Sequence, residues 1–197
     1  MNQVGEVISE ATENGLSTQH ENVARWGIGR LLREDFRAKA EWVYGSRSGR
    51  NVLKAFLADG SFAMVCYRMM QGAQRWGLSP LAMVFNKLNV VFGNCVIGRG
   101  AEFGPGLVLI HSLGVVINGA VKGGRNVKIE HQVTIGAERN VSPVLGDDVF
   151  IGAGAKILGG VKIGSDVRIG ANAVVVSDLP DGVTAVGIPA RVVRTRT

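Results

Sequence analysis

Residues 151–164 read Ile151-Gly-Ala-Gly-Ala-Lys-Ile-Leu-Gly-Gly-Val-Lys-Ile-Gly164. A large aliphatic side chain returns every sixth residue, at Ile151, Ile157 and Ile163, and glycine follows the first and the last. A period of six fits neither an α-helix, with about 3.6 residues per turn, nor a strand, whose side chains alternate with period two. Extended both ways, the register runs through Ile97, Phe103, Leu109, Val115, Val121, Val127, Val133, Arg139, Leu145, Ile151, Ile157, Ile163, Ile169 and Val175. Thirteen of these fourteen are large and apolar, where chance would make about half so.

This pattern is the signature of a parallel β-helix of hexapeptide repeats, three hexads closing one coil of about 18 residues. Aliphatic side chains stack inward from coil to coil, and glycine is expected at the corners. A β-sandwich would instead show period-two runs and irregular turn spacing. Arg139 breaks the register, and an inward arginine is improbable. Residues 138–144 are therefore expected to leave the coil as a loop.

Upstream the composition changes. Nine of the 28 glycines fall in residues 1–92 and nineteen in residues 93–197. Residues 1–17 read as a loose tail. Thr18-Gln-His20-Glu21 reads as a capping box, and Ile28, Leu32, Phe36 and Ala40 recur at helical spacing until Gly45. Further helices are expected over Val52–Leu57, over 61–76 with Gly77 as terminator, and from Ser79-Pro80 to about Asn89. The organisation expected is a tail (1–17), a helical N-terminal part (18–92) and a β-helix (93–197).

The net charge of +6 is shared evenly, each part holding 11 basic and 8 acidic residues. No basic block suggests nucleic acid, and mild positive charge suits an anionic small molecule. Cys66 and Cys95 lack metal-ligand spacing and read as buried thiols of a reducing cytoplasm. The polar, acidic start argues against a signal peptide, and the apolar stretch 78–91 is cut by Pro80 and Lys87.

With the repeat stand Gly104-Pro-Gly106, Val133-Thr-Ile-Gly136, Gly187-Ile-Pro-Ala-Arg191 and, among the helices, Leu32-Arg-Glu-Asp-Phe-Arg37. Together, over roughly residues 30–194, these resemble the hexapeptide-repeat acyltransferases, and most nearly the serine O-acetyltransferase family. The resemblance implies a left-handed β-helix, a homotrimer that could pair into a dimer of trimers, and acetyl-CoA as co-substrate in the cleft between subunits, without a metal. It implies that His111 is the catalytic base. It places the pantetheine arm along Ala153 and Ala171, near Gly136 and Gly152, whose backbone N–H groups are candidate oxyanion donors. Lys156, Arg191 and Arg194 are candidate cations for the phosphates.

Acyl transfer to an alcohol needs a base, because a hydroxyl is a weak nucleophile. Of the three histidines, His20 lies in the capping segment. His131 occupies a repeat position expected to point inward, and could be structural or line the cleft. Two family positions differ here. The aspartate that orients the catalytic imidazole is replaced by Val96, and a histidine that helps to hold the acceptor is replaced by Ser142. Glu102 and Glu130 are candidate substitutes for the missing carboxylate. These departures predict an acceptor other than serine, such as a sugar or polysaccharide precursor, with genuine serine acetylation for cysteine synthesis as the alternative. A non-catalytic trimeric scaffold is the reading from another class. The ending Arg194-Thr-Arg-Thr197 lacks the terminal isoleucine by which the family binds cysteine synthase, so no such complex is expected.

Overall fold

A computed structural model describes residues 26–195 of the 197-residue chain. The capping segment with His20 and the tail lie outside the described residues. Among the described residues four helices come first: α1 (Ile28–Tyr44), α2 (Gly49–Leu57), α3 (Ser61–Arg75) and α4 (Ser79–Gly93). Gly45 ends α1 at φ 74°, in the left-handed region where a Cβ is costly. Helix α4 continues past the expected Asn89 to Gly93, and Asn94 caps it in the left-handed conformation.

The chain then winds as a left-handed parallel β-helix. Its first face stacks β1 (Cys95–Ile97), β4 (Val115–Ile117), β7 (Thr134–Gly136), β10 (Lys156–Leu158) and β13 (Val174–Val175). The second stacks β2 (Glu102–Phe103), β5 (Lys122–Gly123), β8 (Val144–Leu145) and β11 (Lys162–Ile163). The third stacks β3 (Val108–Leu109), β6 (Lys128–Ile129), β9 (Phe150–Ile151), β12 (Arg168–Ile169) and β14 (Val183–Val186), and an antiparallel β15 (Arg191–Thr195) closes the end. Ladders such as Ile97–Ile117–Ile135–Ile157–Val175 fill the interior and are fully or almost fully buried.

Strand register corrects the hexad count. Val116 pairs with Thr134, an 18-residue coil, but Val96 pairs with Val116 and Thr134 with Lys156, offsets of 20 and 22. Two residues are therefore added at the corner after β3, around His111. Four more are added after β7. There Glu138 and Val141 bridge a tight antiparallel turn with Arg139 and Asn140 both at positive φ, the geometry of a two-residue hairpin. The excursion expected over 138–144 is thus shorter, and β8 is back in the coil at Val144. Between the two insertions the inward register runs Ile117, Gly123, Ile129 and Ile135. The Phe103 ring occupies the space a side chain at Gly123 would need.

The glycines also act differently from expectation. Several left-handed corners are taken by Asn126, Gln132, Asp148, Asp166 and Asn172. The glycines that open the repeats answer to close approach instead. A Cβ on Gly152 would lie 2.7 Å from the backbone nitrogen of Ala171 in the next coil. Cys66 and Cys95 are both buried free thiols, and burial pushes the Cys95 thiol up to about 12. Among the described residues no helix is long and apolar enough to cross a membrane.

Candidate active site

The helices are fastened to the β-helix by buried polar groups. Asp35 of α1 receives Arg68 of α3 in a two-pronged pair, at 2.7 Å to Oδ2 and 3.0 Å to Oδ1. It also accepts the backbone N–H groups of Gly106 and Leu107. Arg68 spends its other donors on Gln71 and on the carbonyls of Phe103 and Gly104. The pair thus grips the corner between β2 and β3, and β3 leads directly to His111. Four residues along α1, one turn on, the buried Lys39 ammonium donates to the carbonyls of Asp59 and Leu109 and to Ser61 Oγ. This ties the α2–α3 turn to the end of β3. Gly60 completes the junction at φ 75°, where a Cβ would collide with the Leu109 carbonyl.

Burial pulls the Lys39 ammonium down to about 8, against the pull of the Asp59 carboxylate. The ordinary lysine value is 10.5. Between these values the unfolded chain binds more protons than the folded one, so Lys39's contribution to stability rises with pH across that window. In urea unfolding, the wild-type midpoint is expected to climb relative to Lys39→Met between pH 7.5 and pH 10. A constant difference would refute this.

Beside that junction lies a cavity of about 600 Å³. Its walls are the α2–α3 turn (Ala58, Asp59, Gly60), Phe62, the end of α4 (Phe92, Gly93), Asn94, the corner His111-Ser112-Leu113, and His131. The two imidazoles sit 6.0 Å apart between centroids, at 69°. His111 Nδ1 lies 3.3 Å from Asp59 Oδ2, and His131 Nδ1 lies 3.5 Å from Glu130 Oε2. Asn94 and Ser112 add neutral hydrogen-bonding side chains, and among the described residues no Lys or Arg lines the wall. A second groove of about 540 Å³ along α4 is apolar, with Lys87 the one charged group among the described residues that line it. It offers no base for a hydroxyl.

The register explains the pairing of imidazoles. Leu109, Ile129, Ile151 and Ile169 stack as inward partners on the third face. Two residues beyond each stand His111, His131, Ala153 and Ala171. One edge of the β-helix therefore carries two imidazoles and then two alanines. His131 belongs to this edge and is half-exposed, not inward; the insertion before it shifts its phase. Of the other candidates, Glu102 lies on the second face and pairs with Lys122 at 2.9 Å, away from the cavity. Ser142 donates to Asn118 Oδ1 at 3.0 Å and does not line the cavity either. The Gly152 N–H is spent on the Ile169 carbonyl, so it is not an open oxyanion donor. Gly136 lies within β7 and outside the cavity wall. Lys156 donates to the Gln132 carbonyl at 2.6 Å; Arg191 and Arg194 lie exposed on β15. Val96 is an exposed apolar side chain on β1.

Sequence reasoning missed Asp59. Its signal was available: it is the one acidic residue between Glu41 and Glu102, and it sits before a glycine in a break between helices.

The family model described as bacterial transferase hexapeptide (six repeats) matches residues 142–177. A serine acetyltransferase of Helicobacter pylori is 38% identical over 172 residues, covering 85% of this chain and 95% of that one. Two solved structures superpose over most of the chain. A serine acetyltransferase in complex with CoA has TM-score 0.77 and 28% identity, covering 95% of this chain and 75% of that one. The Neisseria gonorrhoeae enzyme in complex with serine has TM-score 0.75 and 35% identity, covering 83% and 68%. Identity at this level extends through the helices as well as the repeat, which the repeat alone would not require. The chain belongs to the serine acetyltransferase family of hexapeptide-repeat acyltransferases.

Proposed function

We propose that this acetyl-CoA-dependent O-acetyltransferase acetylates the hydroxyl of L-serine, with His111 as general base. The observation that carries the base assignment is the cavity where His111 faces His131, at the one edge that continues into Ala153 and Ala171. His111 Nε2 takes the hydroxyl proton, and the alkoxide oxygen attacks the thioester carbonyl carbon. The tetrahedral oxyanion collapses, the C–S bond breaks, and the departing thiolate recovers the proton from the imidazolium. Asn94 and Ser112 are the neutral donors on the wall for the oxyanion. The small side chains of Ala153 and Ala171 leave room for the pantetheine arm, and Arg191 and Arg194 supply cations further along. The chain works as a homotrimer with the cofactor between subunits. The names of the relatives weigh toward serine, against the departures at Val96 and Ser142.

One observation favours a second reading, a neutral sugar hydroxyl as acceptor. A serine carboxylate needs a cationic or multiply donating partner, and no described residue on the cavity wall is Lys or Arg. The test is thiol release from acetyl-CoA with L-serine and with a panel of neutral sugars and nucleotide sugars. Serine-dependent release with kcat/KM of about 10⁴ M⁻¹s⁻¹ or more supports the first reading. Release with a sugar alone moves the assignment to the second. No release with any alcohol, in protein that binds no CoA, overturns both and leaves a scaffold.

A further inference from the structure

We infer that Asp59 is the carboxylate that positions the His111 imidazole, delivered to the β-helix by the turn between α2 and α3. The inference rests on His111 being the base. Such a base must present the lone pair of Nε2 to the acceptor, which requires the proton on Nδ1. Something must therefore hold Nδ1–H. Val96, the position where the family resemblance expects a carboxylate, is an apolar side chain on β1, and Glu102 and Glu130 are engaged with Lys122 and His131. Asp59 Oδ2, 3.3 Å from Nδ1, is the carboxylate in reach among the described residues.

A positioning group must itself be held, and the junction does this at three points. Lys39 grips the carbonyl of Asp59 and the hydroxyl of Ser61 on one side, and the carbonyl of Leu109, two residues before His111, on the other. One buried cation thus fixes the distance between the segments that carry the carboxylate and the imidazole. Gly60 lets the turn close directly on the Leu109 carbonyl. The groups facing His111 are then Asp59 from the turn and His131, with Glu130 behind it, from the next coil. Asp59 makes the helical part half of the active site and more than a cap on the β-helix.

Two signatures separate this role from a structural one. The first is the neutral tautomer of His111, read by long-range ¹H–¹⁵N correlation in the free protein at pH 8.5. The wild type is expected to hold the proton on Nδ1. In Asp59→Asn, whose amide donates where the carboxylate accepted, the proton is expected on Nε2. The second is kinetic: with acetyl-CoA and L-serine, kcat is expected to fall about 100-fold in Asp59→Asn, with KM for acetyl-CoA unchanged, and to recover in part in Asp59→Glu. The Asp59 side chain is 83% exposed, so the variant is expected to keep the wild-type thermal midpoint. An unchanged tautomer overturns the inference, as does kcat within threefold of wild type. If L-serine is no substrate, the tautomer decides alone. Full turnover in His111→Ala would instead overturn the base assignment. Loss of turnover in His111→Ala with Asp59→Asn fully active would remove Asp59 alone.

Discussion

His111→Ala is expected to lower kcat for acetyl transfer about 10³-fold while leaving KM for acetyl-CoA within about threefold. The loss should fall on kcat because a general base, the role proposed for His111, acts on the hydroxyl proton in the transition state. The contacts proposed for the cofactor along the alanine edge lie outside the wall that carries His111. Folding is not at stake, since the His111 side chain is 51% exposed and packs no core position. The added residues around it also lie outside the inward register, so truncation leaves the ladders Ile97–Ile117 and Leu109–Ile129 intact. Steady-state kinetics with acetyl-CoA and the best acceptor, beside an unchanged thermal midpoint, give the measurement. A rate within threefold of wild type would remove His111 as base. A loss confined to His131→Ala would move the base one coil along the same edge.

The β-helix was readable because its inward positions recur wherever the chain is regular. What stayed hidden was the slip in phase after β3. Val115, Val121, Val127 and Val133 are as fully buried as the true partners Ile129 and Ile135, so an apolar six-residue count runs through the insertion undisturbed. Arg139 did expose the second insertion, because a charge cannot occupy an inward position. Val115 had no such penalty, and so the extra residues at His111 left no mark on composition. His131 was misplaced for the same reason. The choice of His111 as candidate base rested on resemblance in the flanking residues, and the geometry added its neighbours. Asp59 and Lys39 were unreadable from spacing: Asp59 meets a residue 52 positions away, and Lys39 reaches a carbonyl 70 positions away. A helix pattern records which face is buried, and not which distant backbone a buried cation will meet.

The same limit applies to Asp35 and Arg68, whose separation is expected to give the largest stability effect in the molecule. Asp35→Ala should cost about 3–5 kcal/mol in urea unfolding, because it strands a fully buried guanidinium. That is a large share of the roughly 5–15 kcal/mol by which a domain is stable. Burial raises the Asp35 carboxyl, while Arg68 and the N–H groups of Gly106 and Leu107 draw it back. Arg68 is held as the cation by Asp35 against its own burial. Were the ion pair alone at stake, a double variant Asp35→Leu with Arg68→Met would restore most of the loss, since apolar replacements of buried pairs are often neutral. Here the pair also satisfies the backbone. The double variant leaves the N–H groups of Gly106 and Leu107 and the carbonyls of Phe103 and Gly104 without their side-chain partners. Each buried group left so costs about 1–3 kcal/mol. The double variant is therefore expected to recover only part of the stability, and a cycle of the two single changes should show strong coupling. Full recovery would mean that the pair is only a neutralised charge. Partial recovery would mean that it braces the corner between β2 and β3. Because that corner leads into β3 and His111, variants that still fold should lose kcat in step with the brace, though neither residue touches the cavity.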